Sequence, residues 1–141
     1  MNTLLLRSLW LAVLGCVGVS ATSMAADPPL ANADAAPLIT QTELLARIEK
    51  KDPDLVVLDV RTPAEFAAGH VPGARNVSHD LLSSKIAELG DLRDKQVVLY
   101  CRSGRRTLLA EETLRKAGFT KLLHLQGDYL AWEAEQRPVE K

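Results

Sequence analysis

The sequence predicts an α/β domain built around a mainly parallel sheet, and three observations carry that expectation. Residues 55–60 and 96–100 form continuous apolar runs, the pattern of strands covered on both faces. Between such runs lie stretches with leucine and alanine at helical spacing, so strands and helices alternate along the chain. Each run also has a residue capable of chemistry at its carboxyl end, Asp59 in one case and Cys101 in the other. In an open parallel sheet the ligand site lies outside the carboxyl ends of the strands, where both residues fall.

Ahead of the domain, residues 1–7 with Arg7, an apolar core over 9–19, and the small residues Ser23 and Ala25 follow the three-part plan of a signal peptide cut before Ala26. The apolar run is shorter than the roughly 20 residues a membrane span needs. Val13-Leu14-Gly15-Cys16 distantly resembles a lipobox, which makes lipidation of Cys16 the minor alternative, although leucine before the glycine fits that pattern poorly. Both readings take the protein out of the cytoplasm, and the cleaved form is expected in the periplasm with no stable membrane association. Residues 26–37, rich in Ala, Pro, Asp and Asn without apolar periodicity, read as a flexible leader, so the folded domain is expected over residues 38–139.

The charge balance of 17 basic against 18 acidic residues is not that of a nucleic-acid binder. Cleavage would remove Cys16 and leave Cys101 alone, so no intramolecular disulfide could form in an oxidising compartment. Stability is therefore expected from the packing of one ordinary core.

Within the domain, Thr40 and Glu43 have the spacing of a capping box, and Leu44, Leu45 and Ile48 mark one face of a helix ending before Pro53. The strand over 55–60 follows. Thr62-Pro63-Ala64-Glu65 is a second capping box with proline at the favoured first helical position, and Gly69 is its stop. Residues 70–77 read as a turn into another short strand, and 80–89 as a helix closed by Gly90. After the strand 96–100 come a basic loop, a helix to Ala117 stopped by Gly118, a strand over 121–125, and a last helix over 129–135 entered through Gly127.

The stretch Cys101-Arg102-Ser103-Gly104-Arg105-Arg106-Thr107 organises the rest. A thiol between a strand end and a helix start meets unpaired backbone N–H groups and the positive end of the helix dipole, which favours thiolate, and three arginines add potential of the same sign. The residues therefore describe an exposed loop nucleophile in an anion cradle. The competing reading, a structural cysteine at a strand end, would require burying those arginines, which is costly.

Asp59-Val60-Arg61 with Glu65-Phe66, Gly69-His70-Val71-Pro72-Gly73-Ala74 with Asn76, Tyr100-Cys101-Arg102-Ser103-Gly104 with Arg106, Ala117-Gly118-Phe119, and Leu125, Gly127 and Trp132 with Pro138-Val139 together resemble a single-domain rhodanese, or thiosulfate sulfurtransferase, of exported bacterial type. The resemblance implies a rhodanese-like sheet of five strands flanked by helices. It further implies a ping-pong reaction in which Cys101 takes the sulfane sulfur of thiosulfate or a similar small anionic donor as a persulfide and passes it to cyanide or a thiol, in some cases on a protein. In that reading Cys101 is the catalytic nucleophile, Arg102, Ser103, Gly104, Arg105 and Arg106 bind the substrate, and Asp59 and Arg61 support the site. No cofactor is implied. Asp128 departs from the pattern, since many relatives have a second glycine there, and is expected to alter the rim of the site.

Loop length separates sulfur from phosphate chemistry within this resemblance. Phosphatase-type loops have C-x5-R, whereas here Arg106 closes C-x4-R and Thr107 follows. Asp59 and Arg61 also fit a buried ion pair that holds the loop. His70, His79 and His124 lack metal-ligand spacing, so no metal site is expected and structural or surface roles are assigned to them. Trp132 reads as core. The alternatives to an enzyme of broad donor use are a non-enzymatic module of this type, or a periplasmic persulfide carrier serving a protein partner.

Overall fold

The computed structural model describes residues 35–141. The signal-peptide cut, the lipobox at Cys16 and the leader as far as residue 34 lie outside the described residues. Five strands, β1 (Leu38–Ile39), β2 (Leu55–Asp59), β3 (Arg75–Asn76), β4 (Gln96–Tyr100) and β5 (Leu122–Leu125), form one sheet in the order β1-β5-β4-β2-β3. Every neighbouring pair is parallel, as the uninterrupted apolar runs require. Helices α1 (Gln41–Glu49), α2 (Pro63–Ala68), α3 (Leu82–Lys85), α4 (Arg105–Lys116) and α5 (Asp128–Ala134) flank it.

The two faces of the sheet carry separate cores because side chains alternate along each strand. On β4, Val97 and Leu99 pack with Leu82, Ala110 and Leu114 on one face. Val98 and Tyr100 pack with Leu44, Tyr129 and Trp132 on the other. Cys101 continues the alternation onto the first face and is only 1% exposed. The expected exposed thiol is thus corrected: the nucleophile candidate follows the last residue of β4 and is buried in continuation of that strand's register.

Capping follows the sequence closely. Thr62 and Glu65 exchange both bonds of the capping box at the start of α2, while Thr40 accepts the Glu43 N–H at the start of α1. The helix expected over 80–89 is instead the single turn of α3 followed by a 3-10 segment, Ile86–Leu92, that runs through Gly90. Among the described residues no side chain caps α3, and the Ser84 hydroxyl donates to Leu81 O, a local bond that competes with helix propagation.

Both boundaries of the domain extend further than expected. Ala36 is buried and its N–H donates to Glu111 Oε2 at 2.9 Å, while His124 N donates to Pro37 O and so lengthens the β1–β5 ladder. At the other end Glu140 and His70 form an antiparallel bridge, and the Trp132 indole donates to Pro138 O at 2.8 Å. The strand β1 was not read from the sequence because two residues are too few to show a period. Its pairing partner, not its composition, makes it a strand.

Candidate active site

The register of β2 against β4 places Asp59 opposite Tyr100, so the two strands end side by side, and Val60 N donates to Tyr100 O just beyond. From that edge Cys101 opens the loop and Arg105 opens α4. Gly104, between them, has φ +100°, a conformation that glycine adopts without a Cβ clash. A Cβ there would lie 3.0 Å from Asp128 Oδ2. This curl turns the Gly104 N–H onto Cys101 Sγ at 3.0 Å.

The arginines divide into two kinds. Arg102 and Arg105 are exposed, as is Ser103. Arg106 turns inward to α2, where its two terminal nitrogens meet the two carboxylate oxygens of Glu65 at 2.7 and 2.9 Å. That fork holds the Glu65 carboxyl down at about 2, with the Thr62 bonds assisting against the cost of partial burial. Arg106 is pushed up from its already high ordinary value, first by Glu65 and to a lesser degree by Cys101.

Asp59 and Arg61 form the buried pair that the sequence suggested. Arg61 donates from its side chain to both Asp59 oxygens, at 2.6 to 3.0 Å, and to Gly69 O at 2.8 Å, and its guanidinium lies 3.9 Å from the centre of the Tyr129 ring. Burial opposes the charge on Arg61, but the Asp59 bonds outweigh it and raise the Arg61 value. The pair reaches the loop through its neighbour, since Tyr129 N donates to Cys101 O at 3.0 Å. Leu130 N donates likewise to Arg102 O at 3.1 Å, so the first amides of α5 hold the carbonyls of the loop.

Asp128 corrects its own expectation. It lies beneath the loop rather than at the rim, 4% exposed, and its Oδ1 accepts the Cys101 N–H at 2.8 Å and the Thr107 hydroxyl at 3.1 Å. His124, assigned no partner from the sequence, stands between two carboxylates: Nε2 is 2.9 Å from Asp128 Oδ2, and Nδ1 makes an ion-pair contact of 2.9 Å with Glu111 Oε1. Burial works against an imidazolium, but Asp128 and Glu111 overcome it and push His124 up to about 9. Both carboxylates are in turn held below their usual range despite their burial. Glu111 escaped the sequence reading although a signal existed: with Thr107, Ala110 and Leu114 it completes the buried face of α4 at spacings three, four and seven. A carboxylate on such a face calls for a partner.

His70 has a structural place, as expected: its ring stacks on Phe66 with centroids 3.6 Å apart, and its Nδ1 meets Phe66 O at 2.9 Å. Trp132 is fully buried, again as expected. What the arrangement offers chemically is a single thiol at a strand end, a backbone N–H directed at its sulfur, two exposed cations beside it, and a fixed charged floor below.

Comparison with known proteins agrees with this architecture. The family model described as the rhodanese-like domain matches residues 40–135. A "Sulfurtransferase" of Allochromatium vinosum is 36% identical over 86 residues, which is 61% of this chain and 78% of that protein. The "Probable adenylyltransferase/sulfurtransferase MoeZ" of Mycobacterium tuberculosis is 36% identical over 84 residues, 60% of this chain but 21% of that one, so the match there spans about a fifth of a longer protein. Among solved structures, a human single-domain sulfurtransferase, TSTD1, superposes with a TM-score of 0.60 at 27% identity, covering 72% of this chain and 98% of that chain. The parallel five-stranded sheet, the strand–loop–helix around Cys101 and the match over residues 40–135 carry one conclusion: the chain belongs to the rhodanese-like domain family, whose members similar to it include sulfurtransferases.

Proposed function

We propose that the protein is a thiosulfate sulfurtransferase working through a Cys101 persulfide, exported to the periplasm by cleavage before Ala26. The observation that supports this most directly is the Gly104 N–H donated to Cys101 Sγ at 3.0 Å at the start of α4, a backbone donor placed where sulfur anion charge develops. In the first half-reaction the Cys101 thiolate attacks the outer sulfur of thiosulfate. A new S–S bond forms to Cys101, the S–S bond of thiosulfate breaks, and its electron pair leaves on sulfite. In the second, cyanide or a thiolate attacks the terminal persulfide sulfur, and the Cys101 thiolate departs as leaving group. No proton is transferred in either step, so a general base is not required.

Arg102 and Arg105, exposed on the loop, are assigned to attract the dianionic donor. Arg106 is engaged by Glu65 and is assigned to hold the loop closed instead. Asp59 and Arg61 support the loop through Tyr129. The loop from Cys101 to Arg106 has the C-x4-R spacing that, by the family resemblance, goes with sulfur rather than with phosphate. The test is thiocyanate formation from thiosulfate and cyanide by the purified protein lacking residues 1–25. Saturable turnover lost in Cys101→Ser supports the assignment, and phosphate-ester hydrolysis without thiocyanate formation overturns it.

A further inference from the structure

Asp128 is singled out by its backbone as well as by its bonds. Its φ is +51°, the left-handed region in which a side chain is disfavoured, directly after Gly127 at φ +75°. Aspartate tolerates that region better than most side chains, and here its carboxylate is turned inward to the loop. Its two carboxylate oxygens are fully engaged, Oδ1 by Cys101 N–H and the Thr107 hydroxyl, Oδ2 by His124 Nε2. The same Oδ2 lies 3.0 Å, and the His124 ring 3.7 Å, from the place that a Cβ at Gly104 would take.

We propose that Asp128, locked in place by His124, is a positioning residue that fixes the Cys101 peptide and Gly104 so that the Gly104 N–H is aimed at Cys101 Sγ. The proposal rests on the reading of Cys101 as the sulfur carrier. It assigns the rate of sulfur transfer to the floor of the loop and leaves donor affinity to the exposed arginines above it. Three features hold the geometry. The carboxylate takes the N–H of Cys101 from below, the Tyr129 and Leu130 amides take the carbonyls of Cys101 and Arg102 from α5, and Asp128 and His124 occupy the space that a side chain at Gly104 would need. The thiol is therefore clamped on both sides of its own peptide.

His124 keeps the carboxylate from turning. The charged and titratable groups around the imidazole are Asp128 from α5 and Glu111 from α4, with Arg115 on the far oxygen of Glu111 at 3.3 Å. On the loop side the Cys101 N–H meets Asp128 Oδ1, and the Ala36 N–H shares Glu111 Oε2 with Arg115. The ring is hydrogen-bonded to Asp128 through Nε2, while its Nδ1 meets Glu111 Oε1 as an ion-pair contact without a hydrogen bond.

The test uses Asp128→Gly and Asp128→Asn in the chain lacking residues 1–25, with thiosulfate kinetics and amide hydrogen exchange by NMR as paired readouts. Glycine accepts the left-handed backbone but removes the acceptor. It should lower kcat by about tenfold while changing KM for thiosulfate by less than about twofold, since a misaimed donor acts on the reacting sulfur rather than on donor capture. Exchange should accelerate at Cys101 and Gly104 while Val98 and Leu99 in β4 keep their protection. Asparagine retains an oxygen for the Cys101 N–H and should recover most of that protection and part of kcat. Wild-type kcat and protection in Asp128→Gly would overturn the proposal, as would loss of protection spread evenly through β4 with asparagine no better than glycine. If the wild-type protein takes no sulfur from thiosulfate, the carrier reading fails on its own, and the exchange pattern still decides for or against the positioning role.

Discussion

Arg106 and Glu65, 41 residues apart in sequence, meet through two hydrogen bonds of 2.7 and 2.9 Å that tie the end of the cysteine loop to α2. The capping box prepares this contact, because Thr62 donates its N–H and its hydroxyl to Glu65 Oε2 and so holds at the first turn of α2 the carboxylate that receives the fork. The pair is partly exposed, at 24% and 29%, so its worth to stability is about 1–2 kcal/mol. Glu65→Gln should lower thermal stability by that amount and loosen the loop. Because the folded carboxyl value lies near 2, below the ordinary 4.5, this contribution is present above the ordinary value and is lost as pH falls through about 2. Acid unfolding followed by circular dichroism checks it: the wild-type curve should steepen between those values more than that of Glu65→Gln, and coincident curves would remove the pair from the account.

His124 gives the opposite sign. Its value is raised from 6.5 to about 9, so the stability it contributes is complete below the lower value, declines between the two, and is gone above about 9. Denaturant unfolding at a series of pH values should show a loss on the order of 3 kcal/mol across that window in the wild type, and a much flatter profile in His124→Gln. An unchanged profile in the variant would show that the imidazole is not the group titrating.

Much of this was legible in the sequence. The apolar runs gave the sheet, the two threonine caps gave the starts of α1 and α2, and the abrupt stop at Cys101 located the loop. Arg106 was expected in the loop but not its partner, since Glu65 was visible only as a capping residue. The charged floor was not read because its members come from a strand, a helix face and a helix start: His124, Glu111 and Asp128 have no common period. Asp128 was expected at the rim because it departs from the second glycine of many relatives, a resemblance that carries no information on where its side chain points. The curl of the chain at Gly127 carries that side chain underneath the loop instead.

Donor capture rests on the two exposed cations. Arg102→Ala combined with Arg105→Ala should raise KM for thiosulfate several-fold and flatten its dependence on salt, because attraction at an exposed site is screened over about 8 Å at physiological ionic strength. Steady-state kinetics over a range of salt concentrations measures both effects. Unchanged KM and salt response would reassign donor binding to the backbone of the loop alone.

Cys101 is buried among Leu99, Ala110 and their neighbours, so replacing it touches packing as well as chemistry. Cys101→Ser places a hydroxyl in that cluster and should cost about 1 kcal/mol of stability while removing sulfur transfer entirely. Thermal melting and activity on the same preparation separate the two effects, and a variant that melts normally yet still transfers sulfur would exclude Cys101 as nucleophile.

The most direct measurement of the central claim is the intact mass of the protein lacking residues 1–25 after brief exposure to thiosulfate, with released sulfite measured in the same sample. The account predicts the gain of one sulfur atom, located on Cys101 by fragmentation, matched by one sulfite per chain, reversed by cyanide and absent in Cys101→Ser. An unchanged mass with no sulfite released, or a sulfur adduct that persists in Cys101→Ser, would contradict it.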